Sequence, residues 1–473
     1  MRIALINPTA RRTQGYHKVG SFIPHLGLQV LARAAGSEHQ VDVIDEIFGQ
    51  DRTESLLSEG RYDLVGLTAY TSGATRAYEL AGFCRSRGLP VVMGGAHASA
   101  VPDEVARYVD SVAVGECDNL WTDILADAAA GRLQPRYVGG QPDLAGLGRA
   151  QQSLQPVNGR YDVACLQTSR GCPVGCDFCS VTRLSGPQIR RRPIDEIIEE
   201  WNETPRKFIF VVDDNFFGVG QAHAEWAKQL LTEIIRRGKK RLWFSQTSIN
   251  MGGDEEGLKL AYRAGCRGML VGFETFNVDS LRDYHKGLNV KMLDRYQEMV
   301  DGFHRCGIAV FGGFIVGSDR DTEETVADTA LQAVRLGVDI VQITNLTPLP
   351  GTRMYDRLMG EGRIFARNYP EDWERYTFVE TIYNPNNVSA RRLDETIFEL
   401  RQAAAEPAWV WKRTLKTFLQ TRSLTTALFV HGMNRGWARM AKLQVAADAD
   451  RFRDIPRCPQ RSEKIRRSFA LRS

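Results

Sequence analysis

Two series of short β-branched runs, each run followed by a stretch of helical length, leave this chain few folds to choose from. The first series is Ile3–Ile6, Val41–Ile44, Leu64–Thr68, Val91–Met93 and Ser111–Val114. The second is Val163–Gln167, Phe208–Val212, Leu242–Ser245, Met269–Phe273, Ala309–Val316 and Ile340–Thr344. Strands that alternate strictly with helices pair in parallel through right-handed crossovers. Residues 1–127 are therefore expected to form a doubly wound, Rossmann-like sheet whose ligand crevice lies beyond the strand carboxyl ends. Residues 160–368 are expected to form a partial (β/α)6 barrel with its chemistry at the same strand ends. The segment 128–159, rich in Gly, Gln, Pro and Ala without a sustained period, reads as a linker. After residue 369 the strand signals fade, and 389–405, 409–421 and 425–442 read as helices, giving a helical C-terminal region over 369–473. The fold class is α/β.

A chain of 473 residues is too long for one core, in keeping with several domains. Its net charge of +4 is small, and Lys and Arg are spread thinly until Lys412, so nucleic acid is not expected as a partner. The longest apolar run, Ile308 to Gly317, is too short to span a bilayer, and no secretory leader is readable, so a cytoplasmic protein is expected. The C-terminal helices interleave Trp409, Trp411, Phe418, Phe429 and Trp437 with Lys and Arg. They read as an amphipathic cap folded onto the barrel, with a substrate-lining role or peripheral membrane contact as alternatives.

Nine cysteines are present, and an odd number scattered mostly singly is not a disulfide framework. Cys84, Cys165, Cys266 and Cys306 read as small core or strand residues. The exception is Cys172-Pro-Val-Gly-Cys176-Asp-Phe-Cys179, which places three thiols on one loop directly after the first barrel strand. Structural zinc wants four ligands, and no second cysteine pair or histidine partner follows at suitable spacing. Three ligands around a four-iron cube leave one iron open, which suits chemistry that needs a small molecule on the metal.

This CxxxCxφC loop, with Phe178 before its last cysteine, resembles that of the radical S-adenosylmethionine (SAM) superfamily. The resemblance implies a [4Fe–4S] cluster on Cys172, Cys176 and Cys179, with SAM chelating the open iron. Reductive cleavage of SAM then gives methionine and a 5′-deoxyadenosyl radical that abstracts hydrogen from carbon. It also implies SAM contacts from Phe178, from Asp213-Asp214-Asn215 after the second barrel strand, from Gly272 and Glu274 at the fourth, and from Gly313 in the fifth. Acids after a strand also serve as ordinary helix caps. Which carboxylate meets SAM is left open by the sequence, and no catalytic residue is singled out.

A doubly wound domain ahead of such a barrel is similar to the cobalamin-binding domain of one branch of that superfamily. Gly94-Gly95-Ala96-His97 matches the usual loop after its fourth strand. The resemblance implies cobalamin contacts from Asn7, Thr9, Thr68, Ser72, Gly94, Gly95, His97, Gly115 and Glu116. The DxHxxG ligand motif is absent, although His17 begins an HxxG sequence and is a candidate axial ligand. The expected function is a cobalamin-dependent C-methyltransferase acting on an unactivated carbon of a hydrophobic or natural-product small molecule, because the helical C-terminal region is like that of hopanoid and bacteriochlorophyll methylases. Alternatives are a ring-forming, ring-contracting or oxidising enzyme with the same cofactors, and a non-catalytic corrinoid-binding protein. An electron donor such as flavodoxin or ferredoxin is the expected protein partner.

Overall fold

In a computed structural model, which describes residues 1–10, 23–404 and 406–448, the strands of the first series are β1 (Arg2–Asn7), β2 (Gln40–Asp45), β3 (Leu64–Thr68), β4 (Val91–Gly94) and β5 (Ser111–Val114). All pair in parallel in the order β2-β1-β3-β4-β5. Winding reverses beside β1, since β2 lies on one side of it and β3 on the other, and such a reversal opens a crevice at the strand carboxyl ends. Both faces are covered by helices, which is why Ile3, Ala4, Leu5 and Ile6 are all fully buried and the strands read as unbroken apolar runs. A sixth strand, β6 (Arg136–Val138), comes from the segment read as a linker and pairs with β5 at the sheet edge. Its Arg136 and Val138 are exposed, so it lacks the buried signature that marks its neighbours.

The second sheet holds β7 (Ala164–Leu166), β10 (Phe208–Val211), β11 (Leu242–Thr247), β12 (Cys266–Glu274), β13 (Ala309–Val316) and β14 (Ile340–Asn345), in sequential order and all parallel. Between β7 and β10 a short antiparallel pair, β8 (Ser169–Arg170) and β9 (Arg190–Arg191), frames the cysteine loop. Alternate residues such as Ile209, Val211, Trp243, Met269, Val271 and Val310 pack beneath the surrounding helices. The opposite face presents Phe208, Phe210, Phe244, Leu270 and Phe311, a two-residue period that requires something to cover it.

The cover is the last described helix, Leu424–Asp448. Phe429 stacks on Phe208 at 5.6 Å, and Trp437 meets Phe311 edge-on at 6.0 Å. Gly268 makes the approach feasible, because a Cβ there would lie 2.5 Å from the Phe429 ring. One buried carboxylate pins the arrangement: Asp339 accepts from the Val310 amide at 2.8 Å and from the Thr417 hydroxyl, and pairs with His304 at 2.8 Å. Its own carbonyl accepts from Asn434 Nδ2 at 3.0 Å. The C-terminal region also reaches the first domain, where Trp373, Tyr376 and Ile382 join the core around Tyr78 and Ala98. Residues 369–448 thus tie the two sheets together rather than standing apart.

Replacing Phe429 with Ala is expected to lower the free energy of unfolding by about 3 kcal/mol, as for other packed aromatics, read as a lower midpoint in urea. Leu428→Ala, at a position 59% exposed, is expected to stay within about 0.5 kcal/mol of the parent.

Candidate functional site

The cysteine loop leaves β8 through Gly171, where φ is +99° and a Cβ would lie 2.1 Å from the Gln188 carbonyl oxygen, so only glycine fits. The loop is held at several points. Cys172 N donates to Gly186 O at 3.2 Å, Asp177 N to Tyr284 O at 3.3 Å, and Asp177 pairs with His285 at 2.8 Å. Phe178 packs edge-on against Tyr284 at 5.3 Å. Burial pushes the Cys176 thiol up to about 12 and the Cys179 thiol up to about 11, and the neighbouring thiols raise both further. Among the described residues no three His, Cys, Asp or Glu side chains converge as they would on a single metal ion. The three soft thiols could instead hold an iron–sulfur cube, whose corners separate its ligands, and metal loading would expel their protons.

Asp213, Asp214 and Asn215 brace this loop. Asp213 is fully buried and accepts four hydrogen bonds, from Thr168 N at 2.6 Å, Ser169 N at 3.2 Å, Ser169 Oγ at 3.0 Å and the Thr168 hydroxyl. Burial pushes its carboxyl up to about 6 although every one of those bonds pulls the other way. Asp214 accepts from Gly171 N at 2.9 Å. Asn215 Oδ1 accepts from Ser248 N at 3.0 Å, and its Nδ2 donates to Ser248 Oγ at 2.6 Å.

A cavity of about 590 Å³ lies beside the loop, walled by Phe178, Glu274 and Gly313 on one side and by Trp409, Trp437 and Met440 of the C-terminal helices on the other. Of the residues expected to meet SAM, the structure brings these first three to one cavity and keeps Asp213, Asp214, Asn215 and Gly272 out of its lining. Gly313 leaves an open place in it, since an added Cβ would find nothing nearer than Val271 O at 3.8 Å. Glu274, at φ +65°, is ion-paired with the largely buried Lys286, which also donates to Gly272 O at 3.2 Å and feels the charge of Cys176 and Cys179. Sequence reasoning missed Lys286 because nothing in its neighbourhood on the chain marks it.

A second cavity, about 470 Å³, is the crevice of the first sheet closed by the barrel. Thr68, Gly94, Gly95, Gly115 and Glu116 line it, as expected from the sequence, and Cys165, Arg170 and Phe210 face them from the barrel. Asn7, Thr9, Ser72 and His97 do not line it. Asn7 donates to Asp45 at 2.9 Å, Thr9 N donates to Glu46 at 3.2 Å, and Ser72 belongs to the turn Thr71–Gly73. His97 is fully buried elsewhere, bonded to Tyr78 OH at 2.9 Å and edge-on to Trp373 at 5.2 Å. His17 lies outside the described residues. His25, which sequence reading passed over, lines the crevice beside Tyr70, and burial lowers its imidazole to about 4, keeping it neutral at pH 7.

The glycines here differ in what they allow. Gly95 sits at φ +90°, and a Cβ would meet Thr68 Oγ1 at 2.4 Å, so the fold itself demands glycine. At Gly94 a Cβ would meet only Ala113 at 3.5 Å, an ordinary contact, so its missing side chain is space kept for something else. Along the wall of this crevice runs a largely buried charge network absent from the sequence reading. Arg170 pairs with Glu116 and Asp118, both at 2.8 Å, and Arg190 pairs with Glu116.

Comparison with known proteins agrees with this geometry. The chain matches the B12 binding domain family over residues 15–125 and the Radical SAM superfamily over residues 166–363. It is 30% identical over 427 residues to bacteriochlorophyllide d C-8(2)-methyltransferase of Chlorobaculum tepidum, covering 85% of this chain and 89% of that one. It is 27% identical over 358 residues to hopanoid C-2 methylase of Rhodopseudomonas palustris, covering 73% and 66% of the two chains. Its fold is similar to that of the radical SAM methyltransferase TsrM of Kitasatospora setae (TM-score 0.63, 20% identity, 76% and 75% covered). It is similar also to the cobalamin-dependent SAM radical enzyme OxsB (TM-score 0.63, 14% identity, 99% and 83% covered). The two family matches in this order, and a relative of matching length, place the chain in the radical SAM superfamily, among the members that carry a B12-binding domain ahead of the barrel.

Proposed function

We propose that the protein is a cobalamin-dependent radical SAM C-methyltransferase acting on an unactivated carbon of a bulky, largely apolar small molecule. The observation that carries this reading is the pair of cavities that meet at one braced three-cysteine loop, one lined by Arg170 and Ser185 at its ends and the other by Phe178 within it. One is a glycine-lined crevice shared by the B12-binding domain and the barrel, and the other is a mostly apolar chamber at the barrel mouth. When bound, the cluster and SAM supply a radical that takes hydrogen from carbon, and cobalamin supplies the methyl group that replaces it.

The chain's own residues prepare the ground. Cys172, Cys176 and Cys179 offer the thiolates, held in place by Asp213 and Asp214 through the segment that precedes them. Gly313 admits SAM to the chamber, and Glu274, fixed by Lys286, presents a carboxylate there for its polar groups. Gly94 and Gly115 let the corrin approach the backbone, while the wall of Trp409 and Trp437 keeps bulk water from the reacting carbon. Electrons come from a small carrier such as flavodoxin or ferredoxin in a reducing cytoplasm.

Anaerobically reconstituted protein should carry about four irons, and these should vanish in the Cys172→Ala, Cys176→Ala, Cys179→Ala variant and persist in Cys266→Ala; equal iron in the triple variant overturns the ligand assignment. Gly313→Val should keep its iron yet bind SAM at least tenfold more weakly by calorimetry, about 1.4 kcal/mol or more. Gly94→Leu should likewise keep the fold and iron but lose cobalamin on gel filtration. Extracts of a deletion strain, compared by mass spectrometry, should accumulate a metabolite lighter by one added methyl group. A metabolite altered in ring structure instead would replace methyl transfer with another radical outcome.

A further inference from the structure

The two helices that wall the chamber have a second face. On the helix Pro407–Thr421, Trp411, Leu415, Phe418 and Leu419 recur at three- and four-residue spacing, and on the next helix Leu424 and Leu428 do the same. All six point to solvent, Phe418 at 42% exposure and the others at 59–66%. Single exposed leucines are commonplace, but six large apolar groups on one helical hairpin make a contiguous patch of the kind that marks an interaction surface.

The charge around the patch says what covers it. From Pro407 to Ala447 the sequence holds seven cations, Lys412, Arg413, Lys416, Arg422, Arg435, Arg439 and Lys442, and no Asp or Glu. Arg413 is buried under Trp409, while Lys412, Arg422, Arg435, Arg439 and Lys442 are exposed. Arg435, Arg439 and Lys442 continue the face begun by Leu424 and Leu428, so the apolar end of the hairpin passes into a cationic flank. A second copy of the chain would bring the same positive surface and be repelled. Phosphate-rich nucleic acid would satisfy the cations but leave the leucines in water. An anionic bilayer satisfies both, with acyl chains against the apolar face and headgroup phosphates against the cations.

We infer that this hairpin docks the enzyme on the surface of an anionic phospholipid bilayer. The opposite faces of the same helices, through Trp409, Asn434, Trp437 and Met440, line the chamber, so docking brings a store of apolar molecules to the outside of the chamber wall. No described helix is long and apolar enough to cross a membrane, which fits attachment from one side.

The test uses the full-length reconstituted protein and vesicles of phosphatidylcholine with or without phosphatidylglycerol, and it reads attachment without reference to methyl transfer. Co-sedimentation should occur with the phosphatidylglycerol vesicles, weaken as salt is raised, and be slight with phosphatidylcholine alone. Both Leu419→Asp/Leu428→Asp and Arg435→Glu/Arg439→Glu should lower vesicle affinity about tenfold or more, with iron content and thermal midpoint unchanged because all four positions are exposed. No association with anionic vesicles, or association undiminished in both double variants, overturns the proposal. So does a concentration-dependent dimer that Leu419→Asp/Leu428→Asp abolishes in protein that ignores vesicles.

Discussion

Four largely buried charges govern how the two halves of this protein meet. Arg170 and Arg190 come from the strand pair that frames the cysteine loop, and Glu116 and Asp118 from the loop after the fifth strand of the first sheet; none is more than 14% exposed. Bringing ions out of water costs several kcal/mol each, so such a group persists only where nearly every lone pair and N–H is used. Arg170 donates to both carboxylates and to Gln167, and Arg190 donates to Glu116 and to the Pro142 carbonyl. Deleting any one member strands its partners. The network therefore sets the position of the crevice relative to the cysteine loop more firmly than a hydrophobic contact would, because apolar surfaces tolerate sliding and fixed ion pairs do not.

The Asp213-Asp214-Asn215 motif shows how a sequence that looks like a ligand set can serve as scaffolding. Asp213 and Asp214 accept from the segment just ahead of the cysteines, and Asn215 ties that strand end to Ser248 after the next strand. Asp213 in particular has taken four donors, and burial still tilts it toward protonation. A carboxylate so engaged has little left to offer a ligand, but it holds Thr168 and Ser169 in the geometry from which the cysteine loop departs. Glu274 is the contrasting case, an acid on the cavity wall balanced by one largely buried lysine.

The parallel strands and the cysteine loop were legible because their signals are local. β-Branched runs between helices announce buried strands, and three thiols within eight residues announce a metal site. Ala309–Val316 and Leu64–Thr68 appear at the bounds their composition suggested. What escaped depends on distance along the chain. Nothing near Arg170 reveals Glu116, and nothing near Lys286 reveals Glu274, because both pairings arise only when separate strand ends are brought together. Arg136–Val138 escaped because a three-residue edge strand with exposed side chains carries no periodic mark. His97 followed the glycines into the expected site by adjacency alone, whereas within the helix Gly95–Ala100 it packs against Tyr78 and Trp373.

The packing of Phe429 and Trp437 against the open face of the barrel strands has a consequence for the order of events in synthesis. Every strand of that sheet leaves the ribosome before the helix that covers it, and the cysteine loop leaves ahead of all but the first of them. Until Leu424–Asp448 arrives, Phe208, Phe244 and Phe311 face water on a nearly finished sheet, an apolar surface prone to aggregation until it is covered. The same interval leaves the thiols accessible from the side that Trp409 and Trp437 later close. The emergence of this last helix therefore converts an open cradle, ready to receive its inorganic centre, into a chamber.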